Sequence, residues 1–241
     1  MFVIVLTGSI GLAACGSAIT TRTSLARRAT SPPSGHSEST AQLLSAVTQN
    51  ARQAGWVEIN IQQVGPGGTA FYRDEAGPRS GSQDLSINGA NTESEIVDNV
   101  AYFKADASVL TEVLGVPASK AERIANQWVA FSRADSRYAT IADGLTMSSV
   151  LGKFLPAAPL TQVASSAFEG VPQVIIKGSA PLTFDAKTAS LLVTVGSHPL
   201  PVLLSEGQGT ESSLQVGFLR WGVPVRSTVP AGAVPAASVG L

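Results

Sequence analysis

Between Ser39 and Gly55 the stretch "STAQLLSAVTQNARQAG" sets Leu43, Leu44, Val47 and Ala51 at helical spacing. It predicts an amphipathic helix with Ser39 or Thr40 as its cap and Gly55 as its stop. The period then changes. "WVEINIQQV" alternates Val57, Ile59 and Ile61 with Glu58, Asn60 and Gln62, which is the pattern of a strand with one dry and one wet face. "TAFYRDE", "SQDLSIN", "TESEIVDN" and "VAYFKAD" continue it, separated by Gly, Pro and Asn turns as in an antiparallel meander.

The middle of the chain returns to helical spacing in "SVLTEVLG" and "SKAERIANQ", with the short strand-like "WVAFS" after them. "GLTMSSVLGKFLP" places Met147, Val150, Leu151 and Phe154 on one helical face, and Pro156 ends the pattern. Strand character resumes in "TQVASSAFEG", "PQVIIKGS", "ASLLVTVGS", "LPVLLSEG" and "SSLQVGFLRWG". Two antiparallel stretches of about nine or ten strands in all exceed what a flat sheet accommodates, so the sheet is expected to curl. The helices have apolar faces to bury, and the hollow of such a sheet is the place for them. The expected class is α+β: a strongly curved, unclosed antiparallel half-barrel with helices packed in its concave face.

The first residues follow another rule. "MFVIVLTGSIGLAA" is apolar over the length of a signal-peptide core and too short for a transmembrane helix, although it lacks the Lys or Arg that opens such a segment. It leads into Leu12, Ala13, Ala14 and Cys15, and Cys15 is the only cysteine of the 241 residues. Residues 16 to 38 are rich in Ser, Thr, Pro and Gly, a composition that cannot bury a core. The expected division is a signal peptide over 1–14, a lipidated leash over 15–38, one domain over 39–230 and a loose Ala, Pro and Gly tail over 231–241.

Charge excludes one large class of partner. With 16 basic and 17 acidic residues the net charge is -1, and no basic block lies outside the leash, so nucleic acid is not an expected partner.

Leu-Ala-Ala-Cys resembles the bacterial lipobox. Taken with the leash, the opening helix, "NVAYFKADASVLTEVLG", "ANQWVAFS", "LLVTVGSHPLPVLLSEG" and "LQVGFLRWGVPVRSTVPAGAVP", the chain resembles actinobacterial lipoproteins of the LolA/LppX-like superfamily, of the LppX and LprAFG type. That resemblance implies a diacylglyceryl group on the Cys15 thiol, with palmitate among its acyl chains, and attachment to the extracytoplasmic face of the cell membrane. It also implies a half-barrel enclosing a membrane lipid or a lipidated ligand, in a chain expected to be a monomer without a cofactor.

The physical requirement for such a ligand is area. Each methylene withdrawn from a bilayer costs about 0.8 kcal/mol, so a long acyl chain needs contacts worth on the order of 10 kcal/mol. Candidate wall residues are Ile59 and Ile61 on the first strand, Met147, Val150, Leu151 and Phe154 on the inserted helix, and Ile175, Leu192 and Val202 on later strands. Apolar residues at these spacings are more often plain core than ligand wall, and Met147 suits an adaptable wall better than the others. Gly144, Gly152 and Pro156 bracket or interrupt the inserted helix, which makes it the expected movable wall.

Catalysis finds little footing. Of the two histidines, His36 lies in the leash and His198 in the turn "GSHPLPV"; no G-x-S-x-G, H-E-x-x-H or C-x-x-C occurs. Asp74, Glu75, Glu93, Glu95 and Asp98 read as the wet faces of strands, "GPGG" at 65–68 as a hairpin turn, and Trp128 and Trp221 as core aromatics. The chain is expected to be neither an enzyme nor a metal protein. An adapter that binds a protein partner in the cell envelope is the alternative to a lipid carrier.

Overall fold

A computed structural model describes residues 39–66, 68–87, 90–164, 171–181, 187–207, 212–225 and 227–241. The expected signal peptide, leash and Cys15 lie outside the described residues. Helix α1 (Thr40–Ala54) begins at a capping box, in which the Ser39 hydroxyl accepts from the Gln42 backbone N–H and the Gln42 side chain accepts from the Ser39 N–H. It buries Leu43, Val47 and Ala51, the stripe its spacing predicted, and is capped by Gly55.

Five antiparallel strands follow: β1 (Val57–Gly65), β2 (Gly68–Ala76), β3 (Gly81–Ile87), β4 (Ala90–Val97) and β5 (Val100–Lys104). Gly65 pairs with Gly68 where β1 joins β2, in keeping with the hairpin turn expected there. Helices α2 (Ala107–Leu114) and α3 (Ala118–Ile124), strand β6 (Val129–Ser132), the single turn α4 (Tyr138–Ile141) and helix α5 (Met147–Phe154) make up the insert. Leu155 is extended ahead of Pro156, which stops α5. The chain closes with β7 (Ala157–Ala164), β8 (Gln173–Ser179), β9 (Thr188–Thr194), β10 (Pro201–Glu206), β11 (Ser213–Leu219) and the short β12 (Val234–Pro235).

All twelve strands form one sheet in the order β12-β6-β5-β4-β3-β2-β1-β11-β10-β9-β8-β7. Its two end strands are not paired with each other, so the sheet is curved and open, an unclosed α+β half-barrel with its helices on one face. Pairing is antiparallel except between β12 and β6. The pleat divides β1 cleanly, with Val57, Ile59 and Ile61 inward and the intervening Glu58, Asn60 and Gln62 outward.

Two apolar clusters fill the helix-covered face. The larger joins α1 and α5 to β1, β2 and β8–β11; the smaller joins α2, α3 and α4 to β4, β5 and β6. Between them Asp74, Gln83 and Ser94 are cross-strand neighbours on the same inner face, and this polar seam separates the cores. Asp74 and Ser94 are buried.

The last eleven residues differ from the loose tail expected of them. Val234 and Pro235 pair with Val129 and Ala130 of β6, and a 3₁₀ turn follows over Ala236–Val239. Ala236 is buried in the smaller core, with Val234, Val239 and Leu241 packed against it. The segment covers the edge of β6, which would otherwise present unpaired backbone groups. Before reaching it the chain passes Glu95 of β4, whose carboxylate accepts from the Thr228 backbone N–H.

Candidate functional site

Most of the apolar residues nominated from the sequence lie where α5 packs on the sheet. Thr146 caps the helix with its hydroxyl toward the Ser149 N–H, and the four large side chains Met147, Val150, Leu151 and Phe154 all turn inward. They meet Ile59 and Ile61 from β1 in one cluster, so six of the nine residues nominated from the sequence come together here. Phe154 stands edge-on to Phe218 at 6.3 Å, and Phe218 stacks on Trp221 at 6.1 Å. The Trp221 indole N–H donates to the Pro201 carbonyl, which fixes the ring over the strand ends.

The other three nominated residues lie elsewhere. Ile175 and Leu192 are cross-strand partners half-buried on the opposite side of the sheet, because their neighbours Ile176, Leu191 and Val193 take the inward positions. Val202 is the extra residue at a break in register, where Pro201 opposes Val193 and Leu203 opposes Leu192. The nine therefore do not form one wall.

The attachment of α5 is uneven. At its N-terminal end, Met147 N–H donates to the Gly77 carbonyl at 2.8 Å, and Thr146 forms a parallel bridge with Gly77. The preceding turn lies so close on β3 that a Cβ at Gly81 would collide with the Leu145 carbonyl. Gly144 has φ +87°, a conformation that favours glycine. Its N–H donates to the Ser149 hydroxyl at 2.7 Å; that hydroxyl reaches Asp143, and Asp143 pairs with Lys153 at 2.9 Å. The C-terminal end makes no such backbone bond to the sheet: it is held by the Lys153–Asp143 pair, by side-chain packing and by the extended Leu155 that leads through Pro156 into β7. The helix is thus held by backbone hydrogen bonds at its N-terminal end and by side chains at its C-terminal end, toward which Leu151 and Phe154 lie.

Asp74 is the residue whose setting the sequence pattern missed. Read as part of a wet strand face, it instead shares the inward face of Tyr72 and Ala76 and is 1% exposed. The Gln83 amide donates to its Oδ1 at 3.0 Å. Burial raises its pKa from 3.8 to about 7, with the Gln83 hydrogen bond and Lys153 pulling it down and Asp143 and Asp84 pushing it up. The signal was present in "FYRDEA", where period-two counting groups Asp74 with an aromatic and an alanine that are inside.

The remaining residues singled out from the sequence are less central. His198 is exposed in the β9–β10 turn, with Nδ1 2.9 Å from the Ser197 hydroxyl. Glu75, Glu93 and Glu95 point outward as expected, the first two engaged by Arg73 and Lys104. Trp128 is half-buried beneath the Lys104 ammonium.

No family model matches the chain, and no curated protein sequence matches it. Among solved structures, the chain is similar to the crystal structure of LprF from Mycobacterium bovis, with 12% sequence identity, a TM-score of 0.48, and coverage of 80% of this chain and 97% of that one. A second similar structure is that of a DUF1329 family protein from Desulfovibrio piger, with 8% identity, a TM-score of 0.23, and coverage of 76% of this chain and 95% of that one.

Proposed function

We propose that the chain is a membrane-anchored extracytoplasmic lipoprotein that binds, and carries, a lipid or other acylated ligand between α5 and the curved sheet. One observation carries the reading. Helix α5, held by backbone hydrogen bonds at its N-terminal end and by side chains at its C-terminal end, covers together with α1 a continuous apolar layer contributed by six strands. Swinging the C-terminal end of α5 away from Phe218 separates two apolar surfaces, and an acyl chain replaces the contacts each loses. The exchange is close to neutral because methylene groups then pack where side chains packed before. The role is one of binding and release, without bond-making at the site.

A second reading is favoured by the state of this interior. Ile59, Val150 and Val47 have no exposed surface, so the space is filled when α5 is seated. A chain that keeps it filled acts as a non-enzymatic adapter in the cell envelope, with α5 a fixed part of its core. The two readings are separated by comparing the mass of the purified protein under native and denaturing conditions. A non-covalent lipid lost on denaturation supports the carrier, and identical masses support the adapter.

A further inference from the structure

The outer face of the sheet, away from the helices, carries a feature independent of the acyl-ligand reading. Across β10, β11, β1, β2, β3 and β4 it is hollowed into an open groove of about 750 Å³. Two neighbouring cross-strand rows make its floor. Gln215, Gln62, Phe71, Ser86 and Asn91 form one row. Leu203, Gly217, Asn60, Arg73, Asp84 and Glu93 form the other. Gly217 deepens the middle: a Cβ there would meet nothing nearer than the Asn60 carbonyl oxygen at 3.8 Å. Phe71 stands in the groove 60% exposed, the ring turned to solvent rather than to either core.

The lining chemistry narrows the ligand. Its cation is already engaged, since Arg73 lies 3.3 Å from Glu58 and 3.6 Å from Glu75, and the nearby Lys104 pairs with Glu93 at 2.8 Å. An anionic group would have to displace a carboxylate and face Asp84 as well, which disfavours phosphates and carboxylates. The amides of Asn60, Gln62, Asn91 and Gln215 make no side-chain hydrogen bond with another described residue. Each offers a donor and an acceptor side by side, and each sugar hydroxyl is likewise both. On adjacent strands such amides stand about 5 Å apart. An aromatic face beside them takes the C–H face of a pyranose ring by apolar contact.

We propose that this groove is a binding site for a neutral carbohydrate, a short oligosaccharide lying across the strands with one ring on Phe71 and its hydroxyls on the flanking amides. The groove is of the size usual for small-ligand sites.

The test is calorimetric titration of the purified protein with short neutral oligosaccharides of glucose, mannose, galactose, arabinose and N-acetylglucosamine, and with inositol hexakisphosphate as the anionic comparison. At least one neutral series binds the wild type. Phe71→Ala weakens that binding about tenfold, and Gly217→Leu, which fills the floor, removes it. The unfolding midpoint of both variants stays within about 2 °C of wild type, since neither side chain enters a core. Binding of no neutral oligosaccharide overturns the proposal. So does tighter binding of the polyphosphate than of every sugar, or sugar binding that survives both substitutions.

Discussion

Replacing Asp74 by Asn removes a titrating group from the seam between the two cores while keeping its size and its acceptor for the Gln83 amide. The native pKa of Asp74 is about 7 against an ordinary 3.8, the main cause being burial. Because the native value is raised, the native state holds its proton over a range in which the unfolded chain has lost it. Below 3.8 both states are protonated and the group has no effect on stability relative to the neutral amide. From 3.8 to about 7 the unfolded chain is ionised while the native carboxyl is not, so wild-type stability falls as the pH rises. Above about 7 both are ionised and the slope vanishes. Three pH units at about 1.36 kcal/mol each set the accumulated loss at about 4 kcal/mol or less. Asp74→Asn lacks this slope. Urea unfolding at a series of pH values measures it: the variant matches wild type near about pH 4 and exceeds it by up to about 4 kcal/mol near about pH 8. A variant with the wild-type slope through that window, or one less stable than wild type near about pH 8, refutes the reasoning.

Two further outcomes follow from the packing and from the lipobox. Deleting residues 231–241 uncovers the edge of β6 and removes Ala236 from the smaller core; the midpoint of thermal unfolding falls by about 5–10 °C, read by circular dichroism. An unchanged midpoint would show that the segment contributes nothing to the fold. Cys15→Ala leaves the chain in the soluble extracytoplasmic fraction or uncleaved at the membrane, and normal maturation with membrane retention would remove the anchor reading.

The sequence pattern was most legible where polar and apolar residues alternate. In β1 the order Val, Glu, Ile, Asn, Ile is enough by itself to identify the inward face, and α1 carries its cap, stripe and stop in consecutive residues. It was ambiguous where apolar residues run together. In "VII" of β8 and "LLV" of β9 both phases are hydrophobic, so only pairing across strands decides that Ile176, Leu191 and Val193 go inward and Ile175 and Leu192 outward. Asp74 shows the reverse error, in which residue type outweighed phase. The C-terminal segment lacks periodicity because its order comes from an edge supplied about a hundred residues earlier. The outer groove was equally hidden: its two rows are assembled from six strands, and the space at Gly217 opens only once β11 lies beside β1.

The central claim is that the apolar space beneath α5 takes an acylated ligand. Its most direct test is the mass of the protein extracted from membranes under mild conditions, recorded natively and after denaturation. A diacylglyceryl group on Cys15, as proposed, would be covalent and contribute to both spectra, so it would not mimic cargo. The expected result is a native mass larger by one lipid, which denaturation releases and fragmentation identifies by its acyl chains. In folded Leu151→Trp protein, where the indole overfills the packing beneath α5 and competes with an acyl chain, the excess falls below about a tenth of wild type at a stability cost of about 1–3 kcal/mol. Equal native and denatured masses for the wild type, or an undiminished excess in the folded tryptophan variant, would contradict the claim.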